Sequence, residues 1–157
     1  MKEKHEDACP GCGRREFLQT SGFGTLAALI AGVALGKSDL AAQAAEKRYP
    51  IPAADGVSID HGASLIVTRA TSKVYVFALS CPHENNAVKW VAKEHRFQCT
   101  KHDSQYTVEG VHTAGRATRN MDRYVIRRDG DSVVVDLHKW VQSDKDPGGW
   151  SAAALGV

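Results

Sequence analysis

The chain has 157 residues, 43% hydrophobic and 24% charged, with 20 Lys and Arg against 18 Asp and Glu. These are the proportions of a folded protein, and the length holds one small domain plus an appendage, which excludes a large catalytic domain beside a cofactor domain. A formal charge of +2 supplies no basic field, so nucleic acid is not expected as a partner.

Residues 1–16 are short, polar and mixed in charge. Arg14-Arg15-Glu16-Phe17-Leu18 then opens an uncharged run from Phe17 to Gly36. Paired arginines before such a run resemble a twin-arginine export signal. The run is weakly apolar, interrupted by Gln19, Thr20, Ser21 and glycines, which suits such a signal better than a robust span. Ala42-Gln43-Ala44 fits a small-x-small cleavage site. The run is nevertheless long enough to cross a bilayer. Residues 1–44 are therefore expected to be a helical signal sequence or a membrane anchor, with cleavage left open. Arg14 and Arg15 before the run, against Lys37 after it, place the N-terminus in the cytoplasm and the remainder on the periplasmic side. The plainer alternative is a soluble amphipathic helix with a solvated arginine pair. Cys9 and Cys12, with His5 nearby, offer half a zinc site or a redox pair, but this segment holds no second half, and no essential role is assigned to them.

From residue 45 to 146 the pattern is β. Ser64–Arg69 and Lys73–Ala78 are strand-like across a short turn. Val88–Val91 and His95–Gln98 alternate around a turn at Lys93-Glu94. Tyr124–Arg127 and Ser132–Asp136 flank Asp129-Gly130-Asp131, a hairpin signal. Short, regularly spaced strands predict a small all-β antiparallel sandwich or barrel. Residues 147–157, with Pro147-Gly148-Gly149, read as a loose tail.

The chemistry sits where strands end. Cys81-Pro82-His83 closes one strand and Cys99-Thr100-Lys101-His102 closes another. Each half offers one thiolate and one imidazole, so two loops can close on one object from opposite sides. Zinc accepts two Cys and two His, and a structural zinc module without a redox role is one reading. Common zinc fingers, however, place both cysteines in one half. Mixed halves suit a binuclear cluster with two thiolates on one iron and two imidazoles on the other.

From about Val74 to Asp136 the sequence resembles the Rieske [2Fe–2S] proteins, in Trp90, Phe97-Gln98-Cys99, His102-Asp103-Ser104-Gln105-Tyr106 and Gly110 as well as in the ligand frame. Among these it is most similar to the Rieske subunits of cytochrome bc-type complexes. The resemblance implies a [2Fe–2S] cluster with Cys81 and Cys99 on one iron and His83 and His102 on the other. Imidazoles donate less charge than thiolates, so the His-bound iron is easier to reduce, and the potential rises from about −400 mV for a plant-type cluster to roughly −150 to +300 mV. Reduction is expected to raise the basicity of those imidazoles, so that electron and proton move together. The resemblance also implies that Ser104 donates to a bridging sulfide and Tyr106 to the Cys81 sulfur, both raising the potential.

The sequence departs from the family in three ways. Asn86 and Lys101 stand where the cytochrome bc proteins carry a cysteine pair joining the two loops. Asp103 replaces the glycine after the last ligand, a carboxylate expected to favour imidazolium and to oppose a high potential. Gly115-Arg116-Ala117 replaces a Gly-Pro-Ala stretch, and Arg116 is expected to bring positive charge near the cluster. His61, His95, His112 and His138 read as surface or core residues. An oxygenase needs a second iron site in a much longer chain. The expectation is therefore an electron-transfer subunit or carrier rather than a self-sufficient enzyme, exchanging electrons with quinol, a cytochrome or another redox protein. Three contexts fit it: a quinol:cytochrome c oxidoreductase-like complex, the small subunit of an exported molybdenum oxidoreductase such as arsenite oxidase, or a free periplasmic carrier.

Overall fold

Leu65, Ile66 and Val67, like Val74, Tyr75, Val76 and Phe77, are all buried, in strands whose side chains alternate between two faces. Strands with such runs have both faces covered, and here they form the centre of the molecule. The computed structural model describes residues 45–157. Among these, seven strands form one antiparallel sheet: β1 (Glu46–Pro50), β2 (Gly56–Asp60), β3 (Leu65–Ala70), β4 (Lys73–Ala78), β9 (Arg123–Asp129), β10 (Ser132–Val141) and β11 (Leu155–Gly156). Their order is β1-β10-β9-β4-β3-β2, with β11 also against β4. Four shorter strands, β5 (Val88–Val91), β6 (Arg96–Cys99), β7 (Gln105–Thr107) and β8 (His112–Ala114), make a second antiparallel sheet in sequence order. The all-β antiparallel architecture expected from the sequence is the one observed.

The alternation in β3 and β4 builds two cores. Leu65, Val67, Val74 and Val76 join Val133 and Val135 of β10 on one face. Ile66, Tyr75 and Phe77 face the other way and meet Val88, Phe97 and Tyr106 of the smaller sheet. Cys81 and Cys99 belong to this second core. The smaller sheet is thus seated on the seven-stranded base by the same residues that surround its cysteines. At the contact, Phe97 packs edge-on to Phe77 at 6.0 Å and against Trp90 at 4.8 Å.

The tail is not loose. Asp146 accepts from Gly149 N at 2.8 Å, and Pro147 occupies the first turn of helix α1 (Pro147–Ala152). Asp-Pro is a helix-start pair, because the carboxylate caps an otherwise unpaired N–H and proline needs no N–H there. Trp150 is buried, and its Nε1 donates to Met121 O at 2.7 Å. Strand β4 meets β9 only at Phe77↔Arg123, and β11 fills the opening beyond, pairing Leu155 with Val74. The buried Arg123 closes this region. It donates to Trp150 O and to Glu109 O, each at 2.8 Å, and its guanidinium carbon stands 3.5 Å from the Trp150 ring centroid. Burial lowers its pKa to about 10, still far above neutrality.

Strand β10 runs past the expected end at Asp136 to Val141, with a break in register between Val135 and Trp140. Inside the break, Asp136 holds His138 N at 3.0 Å and Lys139 Nζ at 3.1 Å. The expected signal or anchor segment, with Arg14, Arg15, Cys9 and Cys12, lies outside the described residues. Among the described residues, no helix is long and apolar enough to cross a membrane.

Candidate metal centre

The first loop leaves β4 at Ala78 and returns through a Ser80↔Ala87 bridge into β5. Cys81 is locked at both ends: its N–H donates to Asn86 O and its carbonyl accepts from Asn85 N, each at 2.8 Å. The second loop is tighter. Cys99 is the last residue of β6, and its N–H donates to Ser104 O at 2.8 Å across the turn into β7. Asp103 sits in that turn at φ 53°, the left-handed region. The glycine that the resemblance implies here suits this conformation, and aspartate, whose short polar side chain tolerates it, can stand in its place.

The four expected donors converge as two pairs. The imidazoles of His83 and His102 face each other with Nδ1 atoms 3.3 Å apart. The thiols are buried, at 0% exposure for Cys81 and 1% for Cys99, and both belong to the core cluster under the smaller sheet. The imidazoles are partly open to solvent, at 26% and 15% exposure. Burial opposes ionisation of Cys99. The N–H groups of Lys101 and His102, with the Cys81 side chain, outweigh it and hold the thiol pKa below its usual value, against the negative charge of Asp103. A thiol so placed is prepared to bind metal as thiolate.

The donor set fits a binuclear cluster better than one zinc. Two nitrogens on a tetrahedral first-row metal stand about 3.4 Å apart, close to the observed separation. Around a single zinc all four donors fall within about 4 Å of one another. Here the compact group, with ligand atoms within 4.8 Å of one another, is His83, Glu84 and His102, and neither thiol belongs to it. Separate sulfur and nitrogen pairs leave room for two metal positions.

The neighbouring residues are also ordered. The Tyr106 hydroxyl lies 3.1 Å from Cys81 Sγ. Burial, and then the Cys81 contact, push its pKa far above the usual tyrosine value, so it keeps a proton to donate. Ser104 is fully buried, and its hydroxyl oxygen accepts from Ala117 N at 3.0 Å. Gly115 (φ 91°) presses on this turn; a Cβ there would stand 2.4 Å from Ser104 Cα. Arg116 is exposed on the same strap. The Asp103 carboxylate accepts from Gln98 Nε2 at 2.9 Å, and among the described residues it forms no ion pair with His102.

Sequence reasoning passed over Glu84. Its carboxylate lies 3.9 Å from His83 Nε2, 3.6 Å from His102 Nδ1 and 3.8 Å from Lys101 Nζ. The available signal was its place next to His83, an expected ligand. Among the other histidines, His112 packs on Tyr106 with ring centroids 5.6 Å apart, and His95 ends the 3-10 turn Ala92–Glu94.

An all-β domain with two loops presenting paired thiols and paired imidazoles defines a class of iron–sulfur protein. The sequence matches the family model of the Rieske [2Fe-2S] domain over residues 43–135, and the chain belongs to that family. The family binds a [2Fe–2S] cluster and carries electrons through it. No curated protein matches the sequence. Among solved structures, it is similar to the cyanobacterial plasma membrane Rieske protein PetC3 from Synechocystis PCC 6803, at 18% identity and a TM-score of 0.42, over 50% of this chain and 82% of that one. It is also similar to the ferredoxin of carbazole 1,9a-dioxygenase from Nocardioides aromaticivorans IC177, at 20% identity and a TM-score of 0.40, over 57% of this chain and 95% of that one.

Proposed function

We propose that Cys81 and Cys99 hold one iron and His83 and His102 the other, and that the protein passes single electrons on the periplasmic side as the iron–sulfur subunit of a quinol:cytochrome c oxidoreductase-like complex. The observation that carries the ligand assignment is the facing Nδ1 atoms of His83 and His102 beside a buried thiol pair, in a chain of this family. When bound, the [2Fe–2S] cluster supplies a one-electron carrier whose imidazole ligands favour reduction. The protein's own residues set the rest. Tyr106 donates toward the Cys81 sulfur and stabilises the more negative state. Ser104, anchored by Ala117 N–H, offers its proton to the same region. Asp103 and Glu84 add negative charge beside the ligands and oppose reduction, while exposed Arg116 adds positive charge on the covering strap.

The solvent-facing imidazoles give a donor such as quinol, or a protein partner, direct access to the site. Export by the twin-arginine route, followed by retention or cleavage of residues 1–44, is the reading that Arg14, Arg15 and the apolar run support. The missing cysteine pair at Asn86 and Lys101 favours a second context, the small subunit of an exported molybdenum oxidoreductase or a free periplasmic carrier. Purification from membrane and soluble fractions, with mass spectrometry of the N-terminus and of copurifying proteins, decides among them. A b-type cytochrome partner supports the first, and a molybdenum subunit or a free soluble form the second. A colourless protein containing only zinc ends the electron-transfer reading altogether.

A further inference from the structure

We propose that Thr100 is a positioning residue that fastens the two ligand loops to each other without a covalent link, with Glu84 and Lys101 as a weaker electrostatic tie; this rests on the four-ligand assignment proposed above. Each loop supplies one sulfur and one nitrogen, so the spacing of all four donors depends on how the loops are held together. Among the described residues, Cys81 and Cys99 are free thiols, and residues 86 and 101 are Asn and Lys. No disulfide among these residues joins the loops.

One residue makes two bonds across the gap. Thr100 N and Thr100 Oγ1 both donate to Ala87 O, each at 3.0 Å. A carbonyl oxygen has two lone pairs, and here both are taken by a single residue of the opposite loop. The N–H bond extends the β5–β6 ladder one step beyond Val88↔Cys99, and any residue other than proline would make it. The hydroxyl bond is the added element, because it depends on the side chain and fixes its rotamer. Its location matters. Thr100 directly follows the ligand Cys99, and Ala87 directly follows Asn86, whose carbonyl accepts from the N–H of the ligand Cys81 at 2.8 Å. A shift at the Thr100–Ala87 contact therefore moves both sulfurs relative to each other. Glu84 reaches from the first loop to Lys101 on the second at 3.8 Å, with 48% and 62% exposure, where solvent screens most of the attraction.

The test uses the full chain carrying its cluster. Thr100→Val keeps the shape and the N–H but removes the hydroxyl. Cluster loss, followed by visible absorption in the presence of a ferrous-iron chelator, is expected to be about threefold faster than in the parent, in keeping with one net hydrogen bond contested by water. Thr100→Ser is expected to restore the parent rate. Amide exchange is expected to quicken in residues 84–88 and 99–103 and to stay unchanged in β3 and β4. Glu84→Gln and Lys101→Gln are expected to change the rate less than twofold, an effect erased by high salt. Parent-like cluster loss and exchange in Thr100→Val, or equal loss in the Val and Ser variants, overturns the proposal. A parent protein with no cluster absorption overturns the ligand assignment instead, and the exchange comparison then decides the loop tie by itself.

Discussion

The two sheets are stabilised in different ways. The seven-stranded base has strands buried on both faces and two apolar cores meeting at β3 and β4. The four-stranded sheet is built from strands of three or four residues, and only one face of it is buried. Its loops are held by individual polar contacts: Tyr106 to Cys81, Ala117 to Ser104, Thr100 to Ala87. Non-directional burial fixes the base, whereas directional bonds and the metal cluster fix the working end. Such a division leaves the imidazoles of His83 and His102 partly open to solvent while the fold rests on the base.

The largest expected effect separates the two regions outright. Cys99→Ser should abolish the cluster chromophore while amide protection of β3 and β4 persists; global loss of protection would mean the base depends on the metal. Trp150→Ala attacks the link between regions, through the Met121 bond and the Arg123 stack. Truncating a buried tryptophan costs about 3 kcal/mol, and chemical denaturation should show that loss in both sheets together. Gly115→Ala acts on the working end alone. Its Cβ would press within 2.4 Å of Ser104 Cα from a left-handed backbone, so the cluster should become labile with little change in base protection. Tyr106→Phe is gentler: the fold should hold, and voltammetry should show a lower midpoint potential. An unchanged potential would remove the assigned bond to Cys81.

The smallest expected effect belongs to the base surface. Asp60 accepts from Lys47 Nζ at 2.6 Å, Ala63 N at 2.9 Å and Tyr49 OH at 2.9 Å, and these bonds, that from Lys47 first, hold its carboxyl well below the usual range. A depressed carboxyl stabilises the fold above its unfolded-state pKa of about 3.9, and that stability is lost as pH falls toward the folded value. Asp60→Asn should therefore lower the melting temperature at pH 7, with the gap closing below pH 4. A gap independent of pH would assign the effect to shape rather than charge.

The sequence made β3, β4 and β5 legible because they carry continuous or alternating apolar residues. The frame Cys81-x-His83 and Cys99-x-x-His102 also singled out four candidate donors, because mixed Cys/His halves at two strand ends are a pattern that spacing alone displays. Short β7 and β8 escaped because three residues show no period, and β1 and β2 because their residues are only half buried. The C-terminal segment was misjudged because Pro147-Gly148-Gly149 has loop composition, although Asp146-Pro147 signals a helix start and Trp150 needs a core. Glu84 went unseen because its importance comes from the fold, which brings Lys101 and His102 to it from another loop. The left-handed φ of Asp103 leaves no mark in the sequence, because aspartate is equally common in ordinary turns, yet it suits the glycine that the resemblance implied there.

The most direct test is electron paramagnetic resonance of the full chain after reduction, beside its visible spectrum and metal content. Unequal ligation of two irons predicts a brown protein with two irons per chain and a rhombic signal whose average g lies below that of an all-thiolate cluster. A colourless zinc protein, or the spectrum of a cluster bound only by thiolates, would contradict it.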